Sequence, residues 1–177
     1  GAHTALPRIN MTALAEEVLI GELLRYWPDD WALDKKEQLQ QIISGGRFRT
    51  ATLALKGQFD TRKRSLLLSS AQLQGDFTNV RLDVQLPQYQ QIVGTLRGAV
   101  DIEFKQSGQV ARAIINANMQ NGFLSLDRFD KSVRIPEAAL KIRYEPGQLQ
   151  ISQASIDFDE NGKMNATVNA HLGELSS

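Results

Sequence analysis

Between Asn79 and Phe104 the chain alternates apolar and polar residues with a period of two. Val80, Leu82, Val84 and Leu86 are separated by Arg81, Asp83 and Gln85. After Pro87 the alternation resumes, with Leu96, Val100, Ile102 and Phe104 set against Thr95, Arg97, Asp101 and Glu103. Successive side chains of a strand point to opposite faces, so each run predicts a strand with one apolar and one wet face. Two such runs flanking a Pro-containing loop predict an antiparallel pair.

The same grammar extends downstream. Ala51, Leu53 and Leu55 alternate before Gly57, and Asp60-Thr61-Arg62-Lys63 predicts a turn into a strand over 65–73. In that strand Leu66-Leu67-Leu68 is apolar on both faces, which predicts a neighbour covering the outer side. Gly75-Asp76, Ser107-Gly108, Asn121-Gly122, Pro146-Gly147 and Asp159-Glu160-Asn161-Gly162 carry turn chemistry. Pro136 divides Phe123–Leu126 from a strand carrying Leu140, Ile142 and Tyr144. Leu149 and Ile151 share one phase, whereas Ala154, Ile156 and Phe158 take the other, the signature of a bulge. Met164, Ala166, Val168, Ala170 and Leu172 form the last alternating run.

Upstream, the periodicity points to helices. Thr12 can cap a helix over Met11–Leu24 that carries Leu14, Val18 and Leu23-Leu24 at helical spacing. Asp34 and Glu37 have capping-box spacing for a second helix ending at Ile43, followed by Ser44-Gly45-Gly46. Between them, Tyr26-Trp27-Pro28-Asp29-Asp30-Trp31 holds both tryptophans, as a packing anchor or an interfacial contact. The expected organisation is a tail over 1–10, read as a tag remnant, and one domain over 11–177. That domain comprises a helical cap (11–46) and an antiparallel sheet (47–173). The fold class is mainly β (α+β): two short helices, then a long meander. Its apolar face must be covered, so the sheet either closes as a sandwich or barrel, or curls into an open apolar groove.

No catalytic constellation emerges. The 20 basic and 20 acidic residues cancel, removing any general electrostatic case for nucleic acid or for an anionic membrane surface. Cysteine is absent, which excludes disulfide and thiolate chemistry. No window approaches the ~20 apolar residues of a membrane span. His171 lies on the polar phase of the last strand without an evident partner, and Asp157-Phe158-Asp159-Glu160-Asn161-Gly162 lacks the terminal bidentate Glu of a calcium loop. Asp83, Asp101 and Glu103 alternate outward beside Arg81 and Arg97, a pattern of cross-strand ion pairs rather than a glycosidase dyad. Arg62-Lys63-Arg64 is a basic turn, solvated or in contact with phosphate. The expectation is therefore a non-enzyme without metal or cofactor.

Tyr26-Trp27-Pro28, a short helix, Ser44-Gly45-Gly46-Arg47-Phe48 and a strand ending Leu55-Lys56-Gly57 resemble a segment of the AsmA-like proteins of Gram-negative bacteria, of TamB and YhdP type. Leu86–Gly94 (L-P-Q-Y-Q-Q-I-V-G) and Gly147–Phe158 (G-Q-L-Q-I-S-Q-A-S-I-D-F) are similar to the family's strand grammar, and the likeness runs from about Tyr26 to Gly173. The resemblance implies a piece of a longer periplasmic protein anchored in the inner membrane by a segment outside this chain. It implies an open apolar groove, phospholipid acyl chains as cargo, transport between inner and outer membranes, and a role in outer-membrane integrity. An outer-membrane assembly protein is the other partner expected, through edge-strand pairing. The residues assigned to the groove are Val80, Leu82, Val84, Leu96, Val100, Ile102 and Phe104, joined by Leu140, Ile142, Met164 and Val168.

Overall fold

A computed structural model describes residues 6–25, 37, 40–41, 43–86, 90–106, 108–126, 131–157 and 162–171. They form β1 (Arg8–Leu19), α1 (Ile20–Arg25), β2 (Ile43–Ser44), β3 (Arg47–Asp60), β4 (Ser65–Leu86), β5 (Gln90–Lys105), β6 (Val110–Leu126), β7 (Lys131–Glu145), β8 (Gln148–Asp157) and β9 (Lys163–His171). The nine strands make one antiparallel sheet in the order β1-β3-β4-β5-β6-β7-β8-β9, with β2 attached to β4. From β3 to β9 the order is the chain order because each strand is joined to the next by a short connection, as an antiparallel meander allows, whereas β1 reaches its place beside β3 across residues 20–46. The sheet is not closed into a barrel, since β1 and β9 lie at opposite ends of the path.

The pairing of the two diagnostic runs is as the alternation predicts. Val80 lies opposite Leu96, Leu82 opposite Gly94 and Val84 opposite Ile92, right up to Leu86 and Gln90 on either side of the Pro87 loop. Residues 87–89 themselves lie outside the described set. The basic turn after Asp60 is also in place, as is the Pro146-Gly147 turn, with Gly147 at φ 80°. At the β5–β6 turn, Gly108 N–H donates to Lys105 O at 2.9 Å and Lys105 N–H donates to Gln109 O at 2.8 Å.

Several expected boundaries are corrected. The helix over Met11–Leu24 is a strand as far as Leu19, and only Ile20–Arg25 is helical. Ile9, Met11, Ala13 and Ala15 also alternate with period two, and pairing of Met11, Ala13 and Ala15 with Leu55, Leu53 and Ala51 overrides the local helix preference. Ile43 belongs to a strand opposite Leu82, so the second helix does not reach it. Asp34 and the Tyr26–Trp31 segment lie outside the described residues. Gly75-Asp76, Asn121-Gly122 and Pro136 do not end strands: they sit inside β4, β6 and β7. Asn79 (φ 55°) and Asn121 (φ 52°) take the left-handed conformation that Asn tolerates better than most residues, and they produce bulges instead of reversals. The phase change in β8 is a bulge, with register shifts between Lys141 and Ile142 and again between Ile151 and Ala154.

Burial is one-sided. Phe48, Ala51, Ala71, Phe77, Val80, Phe104, Ala113, Ala117, Met119 and Ile135 are the buried apolar residues, and the register puts all of them on one face. Ile20 and Leu23 of α1 and Ile43 of β2 pack against the cluster of Phe48, Ala51, Phe77, Val80 and Ala117, so a small cap does cover this part of the sheet. On the opposite face Leu67 is 42% exposed, and the neighbour expected over the Leu66-Leu67-Leu68 run is not there among the described residues.

Two glycines of this fold respond oppositely to a side chain. A Cβ on Gly98 would collide with Asn116 O and come within 2.9 Å of Ala117 Cα, both backbone atoms, whereas one on Gly21 meets nothing within 4 Å. Gly98→Val is expected to lower the unfolding free energy by about 1–3 kcal/mol. Gly21→Ala in α1 should leave it unchanged or raise it by up to about 1 kcal/mol. Urea denaturation followed by circular dichroism checks both, and equal effects at the two positions would show the close approach at Gly98 to be wrong.

Candidate functional site

Directly opposed residues of an antiparallel pair share a face, so the register can be followed from strand to strand. One line runs Ala13, Leu53, Leu73, Ile102, Ala113, Tyr144, Leu149, Ala170. The next runs Ala15, Ala51, Gly75, Val100, Ile115, Ile142, Ile151, Val168. A third runs Val18, Phe48, Phe77, Gly98, Ala117, Leu140, Ala154, Ala166. From β4 onward Val80, Leu96, Met119, Ala138, Ile156 and Met164 form a fourth. Each line crosses without a charged residue.

Ten of the eleven residues assigned from the sequence therefore share one apolar face, and the eleventh, Val168, is paired in register with Ile151. Leu82 and Val84 extend it along β4, and Phe104 opposes Ala71 at the other end of that strand. Among the described residues the face is best buried at Ala71, Val80 and Ile135, and it opens toward both outer strands, where Met11 is 51% and Met164 46% exposed. Eight strands in sequence carry it over ~34 Å at the ~4.8 Å spacing of paired strands.

Sequence reasoning missed Phe48, Ala71, Phe77, Met119 and Ile135. Phe48 and Phe77 lie beside irregularities, between Phe48 and Thr50 and between Phe77 and Val80, where the count by twos breaks. Met119 fills the space over two glycines: a Cβ at Gly94 would lie 2.6 Å from its Cγ, and one at Gly122 would lie 2.6 Å from its Cε. Glycines interrupting an apolar run next to a long flexible side chain are the signal that could have found it.

The opposite face is polar and internally paired. Asp101 accepts from Gln72 Nε2 at 2.9 Å and from Gln74 Nε2 at 3.2 Å, and Arg112 lies 3.6 Å away. Arg112 also faces Glu103 at 3.7 Å, and Asp83 accepts from Gln91 at 2.7 Å. The acidic residues are thus engaged across strands as expected, but through Arg112 and glutamines rather than Arg81 and Arg97. A shallow depression lined by Thr50, Thr52, Gln74, Asp76 and Asp101 lies on this face. No side-chain N or O atom is buried without a hydrogen-bond partner, and no group of three or more His, Cys, Asp or Glu side chains converges as metal ligands, among the described residues. No described helix is long and apolar enough to cross a membrane.

The Gln72 hydrogen bond, opposed by burial and aided by Gln74 and Arg112, holds the Asp101 carboxyl below its ordinary value. A depressed folded-state pKa means that the unfolded chain binds the proton first, so the stabilisation is present above about pH 4 and is lost as pH falls through the folded value. Asp101→Asn should flatten the decline in stability below about pH 4 relative to the parent chain. Urea midpoints collected between neutral pH and pH 2.5 check this; parallel curves would show that Asp101 is not a source of the acid sensitivity.

Comparison with family models, curated proteins and solved structures returned no match to this chain.

Proposed function

We propose that this chain is a non-catalytic groove segment that carries phospholipid acyl chains, as the likeness to AsmA-like proteins implies. The observation that supports it is the uninterrupted apolar face shared by eight neighbouring strands of an unclosed sheet. An apolar surface of this extent needs a covering, and acyl chains gain about 0.8 kcal/mol per buried methylene. The head group needs no pocket of its own if it stays in water at the rim. On this reading Val80, Leu82, Val84, Leu96, Val100, Ile102, Phe104, Leu140, Ile142, Met164 and Val168 line the path. The full-length protein works in the periplasm, anchored to the inner membrane by a segment outside this chain, and supports outer-membrane integrity by moving phospholipid. No cofactor takes part.

A charged side chain on the path would have to be desolvated against acyl chains, which is costly. Ile102→Arg and Val84→Arg are therefore expected to weaken binding of a fluorescent phospholipid at least about tenfold. Arg97→Gln, on the polar face, should leave it unchanged. Native mass spectrometry of the purified chain should reveal a bound acyl species. Absence of any such species, with all three variants binding like the parent, would end the proposal, provided circular dichroism shows them folded.

The two free edges favour a second reading, a scaffold that pairs strands with an outer-membrane assembly protein. Among the described residues β1 and β9 each have a neighbour on one side only, which leaves backbone groups for strand addition. Asn165→Pro on β9, outside the lipid path, separates the readings: loss of a captured assembly factor with lipid binding intact supports the scaffold, and unchanged capture counts against it.

A further inference from the structure

The overall charge balance conceals an uneven placement. Arg8, Lys56, Arg62, Lys63, Arg64 and Lys105 gather where β3 turns into β4. Lys56 and Lys105 both lie opposite Ser70, and Arg8 lies opposite Gln58, two positions along β3 from Lys56. Arg62, Lys63 and Arg64 form the turn itself. All six are exposed, and none makes a side-chain ion pair among the described residues.

The nearby acids are occupied elsewhere. Asp60 turns its Oδ1 back onto the turn, accepting from the N–H groups of Arg62 at 2.9 Å and Lys63 at 3.1 Å. Glu103 faces Arg112. Among the described residues the six cations outnumber the acids at this rim, which therefore carries net positive charge. Leu67 stands in the same place, directly opposite Gln58 and on the same face as Arg8, and is 42% exposed. Cations flanking an exposed aliphatic side chain match a bilayer surface, which offers anionic head groups above an apolar layer.

We infer that the β3–β4 rim, formed by Arg8, Lys56, Arg62–Arg64, Lys105 and Leu67, docks on an anionic lipid bilayer. The inference rests on the lipid reading for its purpose: it sets the rim at which acyl chains would enter or leave the apolar face. The turn supplies three of the six charges with no fold-bearing contact of their side chains, so it can be altered without disturbing the sheet.

Co-sedimentation with vesicles tests it. The parent chain should bind vesicles containing phosphatidylglycerol, bind phosphatidylcholine vesicles weakly, and release as salt rises. The triple variant Arg62→Gln, Lys63→Gln, Arg64→Gln should bind the anionic vesicles at least about 30-fold more weakly. The matched triple Arg49→Gln, Arg97→Gln, Arg134→Gln removes the same charge from exposed sites elsewhere and should cost less than about threefold. Equal losses in both triples, equal binding to neutral vesicles, or tighter binding to nucleic acid or inorganic phosphate than to anionic vesicles would each overturn the inference. Uptake of a fluorescent fatty acid delivered from solution, without vesicles, separates this result from the preceding proposal. A chain that takes up fatty acid but ignores vesicles defeats the docking alone; one that docks but takes up none defeats the groove alone.

Discussion

Everything in this molecule depends on keeping one face of a sheet apolar through strands that are not regular. β4 runs for 22 residues, far beyond the five or six of an ordinary strand. A strand of that length accumulates twist, and bulges bend it and let it follow a curved sheet. Each bulge moves every later side chain to the other face unless the sequence shifts as well. Here the sequence does shift. Leu73 and Phe77 hold the odd phase, Asn79 takes a left-handed conformation, and Val80, Leu82 and Val84 continue in the even phase. Ala117 and Met119 give way to Gly122 and Leu124 across Asn121. Ile151 gives way to Ala154. Chemistry and geometry change phase at the same positions, so the apolar lines cross the sheet unbroken.

This coupling explains which parts of the fold were legible beforehand. Strand identity, antiparallel order and the shared face of Val80 through Phe104 follow from period-two alternation alone. The β8 bulge was legible too, because Leu149-x-Ile151 and Ala154-x-Ile156 are plainly out of step. Asn121-Gly122 was misleading for a physical reason: left-handed conformers serve tight turns and bulges equally, and local sequence does not say which. The choice is made by β7, whose Glu137 and Ile135 flank the same point and keep pairing across it. Residues 8–19 were misleading in another way. Their alanines, leucines and glutamates suit a helix in isolation, and only the edge of β3 makes the extended form better. The apolar face was legible as a set of residues because membership of a face is a parity. The contribution of Phe48 and Phe77 was not, since each sits where parity changes.

The two faces meet their solvents differently. On the polar side, Gln72, Gln74, Asp101, Glu103 and Arg112 satisfy one another across three strands, which leaves little unspent bonding capacity for a ligand. On the apolar side, the described residues of α1 and β2 cover the region around Phe48, Phe77 and Val80. Beyond that region, toward β7, β8 and β9, Leu140, Ile142, Ile151 and Ile156 are only half-buried. A sheet whose sole task was to form a core would bring its most apolar lines under the cap. Here they continue well past it.

That continuation bears on what the face is for. A sandwich buries such lines against a second sheet, and a barrel buries them against themselves. The described strands form one sheet that is not closed into a barrel, with the first and last members of its path at opposite edges. Apolar side chains carried to both edges, with Met11 at one and Met164 at the other, are costly unless something apolar lies along them. Acyl chains can do so anywhere on the face, because dispersion and water exclusion carry no directional requirement. Such an occupant needs only an unbroken apolar line, and that is the property which the bulges and phase shifts preserve together.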